Sequence, residues 1–238
     1  MTAVPPGTRV YAIGDVHGRL DLLTRLEALI EADLARPRPA RTVAVYLGDY
    51  VDRGPDAREV LDHLLDHPLP TDETVHLLGN HEDAMCRFLV DRWVGESWMG
   101  FGGIETLKSY GAAPDPALPP EEWLAQAQDA FNRVIPERHL AFLEGLPLRH
   151  AEGDYLFVHA GIRPRIPIAR QRRDDLLWIR REFLDSEVDH GQVVVHGHSI
   201  AWEPEIRPNR IGIDTGAYAS GRLTALVLEG EKRRFLST

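Results

Sequence analysis

The chain has 238 residues, 43% hydrophobic and 27% charged, which is enough to bury a full core and describes an ordinary globular protein. Its formal charge of −10 gives no electrostatic support for non-specific binding to a nucleic acid polymer or an anionic membrane, although a metal-loaded cleft would still accept an anionic substrate. No stretch approaches a membrane span, residues 1–9 lack a secretion signal's apolar run, and Cys86 is the only cysteine, so a reducing, cytoplasmic location is expected.

One domain over residues 1–238 is expected, with 91–149 a segment covering a cleft. Thr8–Ile13 is a short strand that runs into Gly14-Asp15-Val16-His17-Gly18. Leu20, Leu23, Leu26, Leu29, Ile30 and Leu34 then recur at helical spacing through 19–35, and Pro37 and Pro39 end that helix. Thr42–Leu47 reads as a buried strand leading straight into Gly48-Asp49-Tyr50-Val51-Asp52-Arg53-Gly54. Two carboxylates and a guanidinium beside a core are costly unless a metal or an anion compensates them.

Ala57–Leu65 is a helix stopped by Pro68 and Pro70. Thr74–Leu78 is a strand ending at Gly79-Asn80-His81-Glu82, with a helix over Asp83–Val90. Ala112–Pro120 is a proline-rich surface loop, and most of Trp93, Trp98, Phe101, Tyr110 and Trp123 are expected to serve packing. Tyr155–Val158 ends at His159-Ala160-Gly161, and Gln192–Val195 at His196-Gly197-His198. Arg210–Asp214, Leu223–Leu228 and an edge strand over Arg233–Leu236 make a β-rich closing part, so α/β architecture with mixed sheets is expected.

Five strands therefore end in a glycine-associated cluster of Asp, His or Asn, which argues for ligands converging on one sheet edge. Asp15, His17, Asp49, Asn80, His159 and His198 offer oxygen and imidazole donors without thiolate, a set suited to Mn, Fe, Zn or Mg. Six donors exceed what one open site needs, and Asp49 could bridge two ions about 3.5–4 Å apart that clamp an in-line displacement at phosphorus. Arg53 presents a fork of donors suited to a phosphoryl oxygen. His81 is a candidate acid for the leaving group, with Asp52 orienting it.

The three stretches 14–18, 48–54 and 79–82 resemble, in order and spacing, the signature motifs of the phosphoprotein phosphatase family. His159-Ala160-Gly161 and Gly197-His198 match that family's two further histidine motifs, so the resemblance spans Thr8 to about Leu228. It implies the calcineurin-like metallophosphoesterase fold, a four-layer αββα sandwich with a dinuclear metal site at strand C-terminal ends. By motif matching, Asp15 and His17 hold the first metal, Asp49 bridges, and Asn80, His159 and His198 hold the second. Manganese is the expected ion, with iron, zinc or magnesium as alternatives. Arg53 and Asn80 are expected to contact the phosphate, and His81 with Asp52 forms the acid dyad. A second phosphate-binding arginine matches Arg180, although Arg181 adjoins it and the stretch 176–181 reads as part of a helix.

Trp98-Met99-Gly100-Phe101-Gly102-Gly103 is similar to bacterial and phage-type members, and Ile200, where the wider superfamily often has histidine, favours the phosphoprotein phosphatase branch. His196 has no fixed role in the pattern; it is expected either behind the metal ligands or, the favoured reading, on a solvent-facing strand position. Histidines 63, 67, 76, 139, 150 and 190 are expected to be surface or packing residues.

The first functional expectation is a metal-dependent phosphomonoesterase acting on phosphoserine and phosphothreonine in proteins, and also on phosphotyrosine and small phosphate esters. Direct attack by a metal-bridging hydroxide would form no phosphoenzyme. The alternative is a diadenosine tetraphosphate hydrolase using the same ligands. Its resembling members commonly carry Asp where Glu82 stands, and the Asp52-Arg53 pair sits more naturally with protein phosphatases. A non-catalytic phosphate-binding protein is disfavoured, because every proposed ligand and the acid dyad are present.

Overall fold

A computed structural model describes residues 2–36 and 39–238. Its elements in chain order are β1 (Thr8–Ile13), α1 (Leu20–Leu34), β2 (Arg41–Tyr46), α2 (Ala57–Asp66), β3 (Glu73–His76), α3 (Asn80–Val90) and α4 (Val94–Gly100). There follow α5 (Gly103–Ser109), α6 (Pro120–Val134), α7 (Glu137–Glu144), β4 (Arg149–Glu152), β5 (Tyr155–Val158), α8 (Arg173–Trp178) and α9 (Arg181–Leu184). The chain closes with β6 (Val193–His196), β7 (Glu205–Ile206), β8 (Arg210–Gly212), α10 (Ala217–Ser220), β9 (Thr224–Glu229) and β10 (Lys232–Ser237). Of the two prolines expected to end the first helix, Pro37 lies outside the described residues. No described helix is long and apolar enough to cross a membrane.

The strands form two five-stranded sheets, ordered β10-β9-β1-β2-β3 and β4-β5-β6-β8-β7. β1, β2 and β3 are mutually parallel while β9 and β10 run antiparallel. In the second sheet β5, β6 and β8 are parallel and the two edge strands antiparallel. Both sheets are mixed, as the β-rich closing part led one to expect.

Side-chain alternation along the strands builds the layers. On β1, Tyr11 and Ile13 point to the layer holding α1, α2 and the α3–α7 region, where Leu23, Leu26, Val60 and Phe88 meet them in one apolar cluster. Val10 and Ala12 point the other way and meet Tyr155, Phe157, Val193 and Val195 between the sheets. The far face of the second sheet, Leu156, Val158 and Val194, is covered by Leu176 of α8, Ile179 of the junction after it and Phe183 of α9. This makes a four-layer αββα sandwich in which each fully buried aliphatic side chain contributes about 1.5–3 kcal/mol.

Strand parity corrects one expectation. Val193 and Val195 face the other sheet, so His196 points with Val194 towards α9 and is 1% exposed rather than solvent-facing. Its ring meets Phe183 edge-on at 5.1 Å, and burial pushes its pKa down to about 4. A second correction concerns residues 176–181. The helix stops at Trp178, and Arg180 sits in a non-helical junction (φ −129°, ψ −100°) before α9 begins.

Candidate active site

Because β1, β2 and β3 are parallel, the loops after them leave the same edge of the first sheet, and the loops after β5 and β6 meet them from the second. Two contacts lock this junction: Asp15 Oδ2 accepts the His198 N–H at 2.9 Å, and His159 Nδ1 lies 2.9 Å from the Leu47 carbonyl. Gly79 and Gly197 have no side chain because a Cβ there would run into the carboxylates of Asp49 and Asp15.

The loops are strained as well as close. Six described non-glycine residues have positive φ, and five of them are His17, Asp49, Asp52, Arg53 and His198. Left-handed backbone at branched or bulky residues costs energy that surrounding contacts must offset, and such outliers cluster at functional sites. Glu82 supplies much of that offset at the middle loop. Its buried carboxylate accepts the N–H groups of Asp49, Tyr50, Val51 and Gly79 at 2.7–3.1 Å. The same bond to Gly79 starts α3 at Asn80, three residues before the expected Asp83. Glu82 is therefore turned towards backbone and is poorly placed to read a substrate, so its identity says little about substrate class.

Asp49 occupies the middle of the cluster. Its carboxylate lies 3.5 Å from His17 Nε2, 3.7 Å from His81 Nε2 and 3.4 Å from His159 Nε2. Donor atoms of His17, Asp49 and His81 form one compact triad, and those of Asp49, His159 and His198 another, each within 4.8 Å. Asp49 belongs to both triads. Asp15 is in neither triad; it lies beside them with Oδ1 buried and without a hydrogen-bond partner.

The chemistry of these donors fits divalent cations. Carbonyl oxygens only accept, so His17 and His159 donate Nδ1–H to Val51 and Leu47 at 2.9 Å each and turn a bare Nε2 inward. Burial holds both imidazoles below their ordinary pKa, hence neutral. The bare Nε2 of His159 then faces Asn80 Oδ1 at 2.8 Å and Asp49 Oδ1 at 3.4 Å, three acceptors converging on one point. His198 Nδ1 faces the same Asn80 Oδ1 at 2.8 Å, and burial with His159 nearby depresses its pKa. Burial, with Asp214 and Asp49 close, raises the Asp15 carboxyl. Converging acceptors and uncompensated carboxylates are the environment a bound cation relieves.

Beside the donors lies a buried histidine–carboxylate pair. His81 Nδ1 is 2.6 Å from Asp52 Oδ2, and although burial disfavours the imidazolium, Asp49 and Asp52 outweigh it and raise the His81 pKa. Arg53 fans over the cluster, Nη1 at 2.9 Å from His17 Nε2 and Nη2 at 3.2 Å from His81 Nε2. Arg180 is exposed; burial chiefly, and its charge in part, lower the pKa values of His159 and His198.

Several site neighbours were missed in the sequence. Trp98, expected to be packing, is fully buried but donates its indole N–H to Asp52 Oδ2 at 2.8 Å. Thr106 donates to Asp52 Oδ1 at 2.6 Å. Asp214 sits beside Asp15; burial, reinforced by the Asp49 charge, pushes its carboxyl up to about 6. Ile213-Asp214-Thr215-Gly216 follows β8 as another strand end with an acidic residue and a glycine, a signal that could have found it. Three aromatic rings rim the cluster. Tyr218 lies under the Arg53 guanidinium at 4.6 Å and edge-on to His17 at 5.5 Å. Phe101 contacts His81 at 6.0 Å, and Trp178 contacts both Phe101 at 5.5 Å and His198 at 6.2 Å.

Two mixed sheets between helical layers, with Asp, His and Asn donors gathered at strand C-terminal ends, define a metallophosphoesterase. The chain belongs to the calcineurin-like phosphoesterase family, whose model matches residues 8–220. It is 26% identical over 234 residues to the asymmetrical bis(5′-nucleosyl)-tetraphosphatase PrpE of Anoxybacillus flavithermus, covering 90% of this chain and 88% of that one. The protein of the same name from Bacillus thuringiensis is 27% identical over equal shares. Among solved structures, a candidate diadenosine tetraphosphatase superposes with a TM-score of 0.61 at 22% identity, covering 99% of this chain and 97% of that one. A cold-active protein tyrosine phosphatase of a psychrophilic Shewanella gives 0.57 at 18% identity, covering 98% and 83%. At those identities the structural likenesses show the fold alone.

Proposed function

We propose that the protein is a metal-dependent hydrolase of dinucleoside polyphosphates that cleaves diadenosine tetraphosphate asymmetrically, the alternative of the two hydrolytic readings the sequence allows. The observation that carries this reading is the aromatic rim, in which Phe101, Trp178 and the 37%-exposed Tyr218 surround the donor cluster. A base stacked on such a ring gains about 1–3 kcal/mol, and a phosphoserine peptide brings no flat ring to use it. The names of relatives matched over nine-tenths of the chain support the same substrate class.

Asp15, His17 and Asp49 would hold one divalent ion, and Asp49, Asn80, His159 and His198 a second, with Mn²⁺ the proposed metal. Such ions, when bound, acidify water and polarise phosphoryl oxygens. Arg53 binds a phosphoryl oxygen, and Asn80 and Arg180 are proposed to contact the same group. Once the phosphate takes the Arg53 guanidinium, His81 Nε2–H is free to protonate the leaving oxygen while Asp52 keeps the Nδ1 proton. A water oxygen forms the new P–O bond and releases a proton to solvent, the bridging P–O bond breaks, and the leaving phosphate departs with the proton from His81, which solvent later restores. Residues 91–149, with Phe101 at the rim, are proposed to cover the cleft within a domain that spans the chain. The sole cysteine, Cys86, is a free thiol, consistent with the proposed cytoplasmic location.

The deciding experiment compares turnover of diadenosine tetraphosphate and a phosphoserine peptide in Mn²⁺, each with a metal-stripped control. Faster, metal-dependent dinucleotide turnover giving AMP and ATP is expected. Faster peptide turnover would return the protein phosphatase reading, and two molecules of ADP would refute asymmetrical cleavage.

A further inference from the structure

The acid dyad's carboxylate is held by a segment of chain that the reaction scheme leaves unused. Asp52 is fully buried, with three side-chain partners. Oδ2 takes both His81 Nδ1–H, at 2.6 Å, and the Trp98 indole N–H, at 2.8 Å. Oδ1 takes the Thr106 hydroxyl at 2.6 Å, and the same hydroxyl oxygen accepts the Asp52 backbone N–H at 2.9 Å. Thr106 thus closes a ring of two bonds around one residue.

The next residue is held by the same segment. The Gly102 carbonyl accepts the Arg53 N–H at 3.2 Å, and the Phe101 carbonyl faces Arg53 Nε at 3.4 Å. Gly102 has φ +106°, and a Cβ there would stand 2.8 Å from Arg53 Cγ, so only glycine permits the approach. Asp52 and Arg53 are themselves left-handed, with φ of 70° and 69°. Two consecutive non-glycine residues in that region need outside contacts to stay there. The contacts come from residues 98–106, at the end of α4 and in α5. Trp98 is immobilised in turn, its ring packed against Phe88 at 5.0 Å and Phe131 at 6.0 Å, with Gly103 beneath it.

We infer that Trp98 and Thr106 are positioning residues for general-acid catalysis, acting on His81 through Asp52. They fix the carboxylate so that the imidazole ring keeps one tautomer and one direction. The inference rests on the proposed role of His81 and Asp52, but not on which phosphate ester is the natural substrate. Trp98→Phe keeps most of the packing and removes one N–H. Thr106→Val removes the hydroxyl at nearly constant volume, and Thr106→Ser restores it.

The test uses the full chain with Mn²⁺ on two aryl phosphates, 4-nitrophenyl phosphate, whose leaving group needs little protonation, and phenyl phosphate, whose leaving group needs it. A general acid is worth about 10²–10⁴-fold, and loss of its orientation forfeits part of that. In Trp98→Phe and Thr106→Val, kcat on phenyl phosphate is expected to fall about 10-fold or more with little change in KM, with a much smaller fall on 4-nitrophenyl phosphate. Thr106→Ser should recover most of the loss. In the metal-free chain, the low-field proton resonance of His81 Nδ1–H should move or broaden in both variants and return in Thr106→Ser. Equal losses on the two esters, or an unmoved resonance, would overturn the inference. If Trp98→Phe does not fold, the Thr106 pair decides. His81→Ala separates the premises: without leaving-group selectivity there, the dyad assignment falls together with the positioning role. Failure on diadenosine tetraphosphate alone touches only the substrate proposal.

Discussion

Asp49 shows how the site depends on single groups. Burial pushes its carboxyl up, yet the His81 imidazolium and the His81 backbone N–H, which Oδ1 accepts at 3.1 Å, oppose that and hold it below the ordinary carboxylate value. Asp49→Asn keeps the shape and removes the charge. Turnover is expected to fall roughly 100-fold or more, with calorimetric Mn²⁺ binding weakened and far-ultraviolet circular dichroism unchanged. A variant that kept activity would exclude Asp49 as the bridge. Glu82 carries the opposite kind of load, structural rather than catalytic. Glu82→Gln keeps two acceptor contacts but turns an NH₂ group towards the N–H donors of Asp49 and Gly79. Each buried donor left unpaired costs about 1–3 kcal/mol, so chemical denaturation should show a loss of roughly 2 kcal/mol or more, visible without any metal. The donor types and their glycine neighbours were legible in the sequence, because they recur at successive strand ends. The burial of His196 was not, since strand parity has no meaning until a partner layer defines inside and outside.

Helical elements carry their own titrating network away from the site. His139 on α7 is fully buried between Tyr110 and Asp62: its Nδ1 lies 2.7 Å from the Tyr110 hydroxyl and its Nε2 3.0 Å from Asp62. Neutral imidazole satisfies both, taking the Tyr110 proton at Nδ1 and donating Nε2–H to Asp62. Burial lowers the His139 pKa despite Asp62. For a histidine with a depressed folded value, the unfolded chain binds the proton first, so the stability is fully present above the unfolded pKa of about 6.5 and is lost as pH falls through the lower folded value. The urea midpoint should therefore drop between pH 7.5 and 5.5, and His139→Gln should flatten that part of the profile. An unchanged slope would mean that His139 is already charged at neutral pH. The elements read from periodicity lie within one to three residues of those found, but α4 to α7, β4, β7 and α10 were not read at all. Nor was the break at Arg180, because residues 176–181 carry no proline or glycine to mark it and it is made by packing against the second sheet.

The whole molecule places each wall of the site on its own sheet, and each sheet has its own apolar layers. Removing metal should therefore abolish turnover while the sandwich stays folded, measured as lost activity with retained circular dichroism and restored by added Mn²⁺. Activity surviving thorough chelation would sink the mechanism. What the sequence determined by itself was local. The alternation within strands, the glycines at their ends and the donor residues between them follow from near neighbours; they indicated mixed α/β sheets and nominated the donors, while the four-layer sandwich was implied by the family resemblance. The tertiary structure alone decided which groups touch. Trp98 reaches Asp52 across 46 residues and His198 reaches Asp15 across 183, and Tyr218 meets Arg53 from α10, between β8 and β9. Such pairings leave no periodic trace, because they are selected by the shape of the packed layers rather than by the order of residues along the chain.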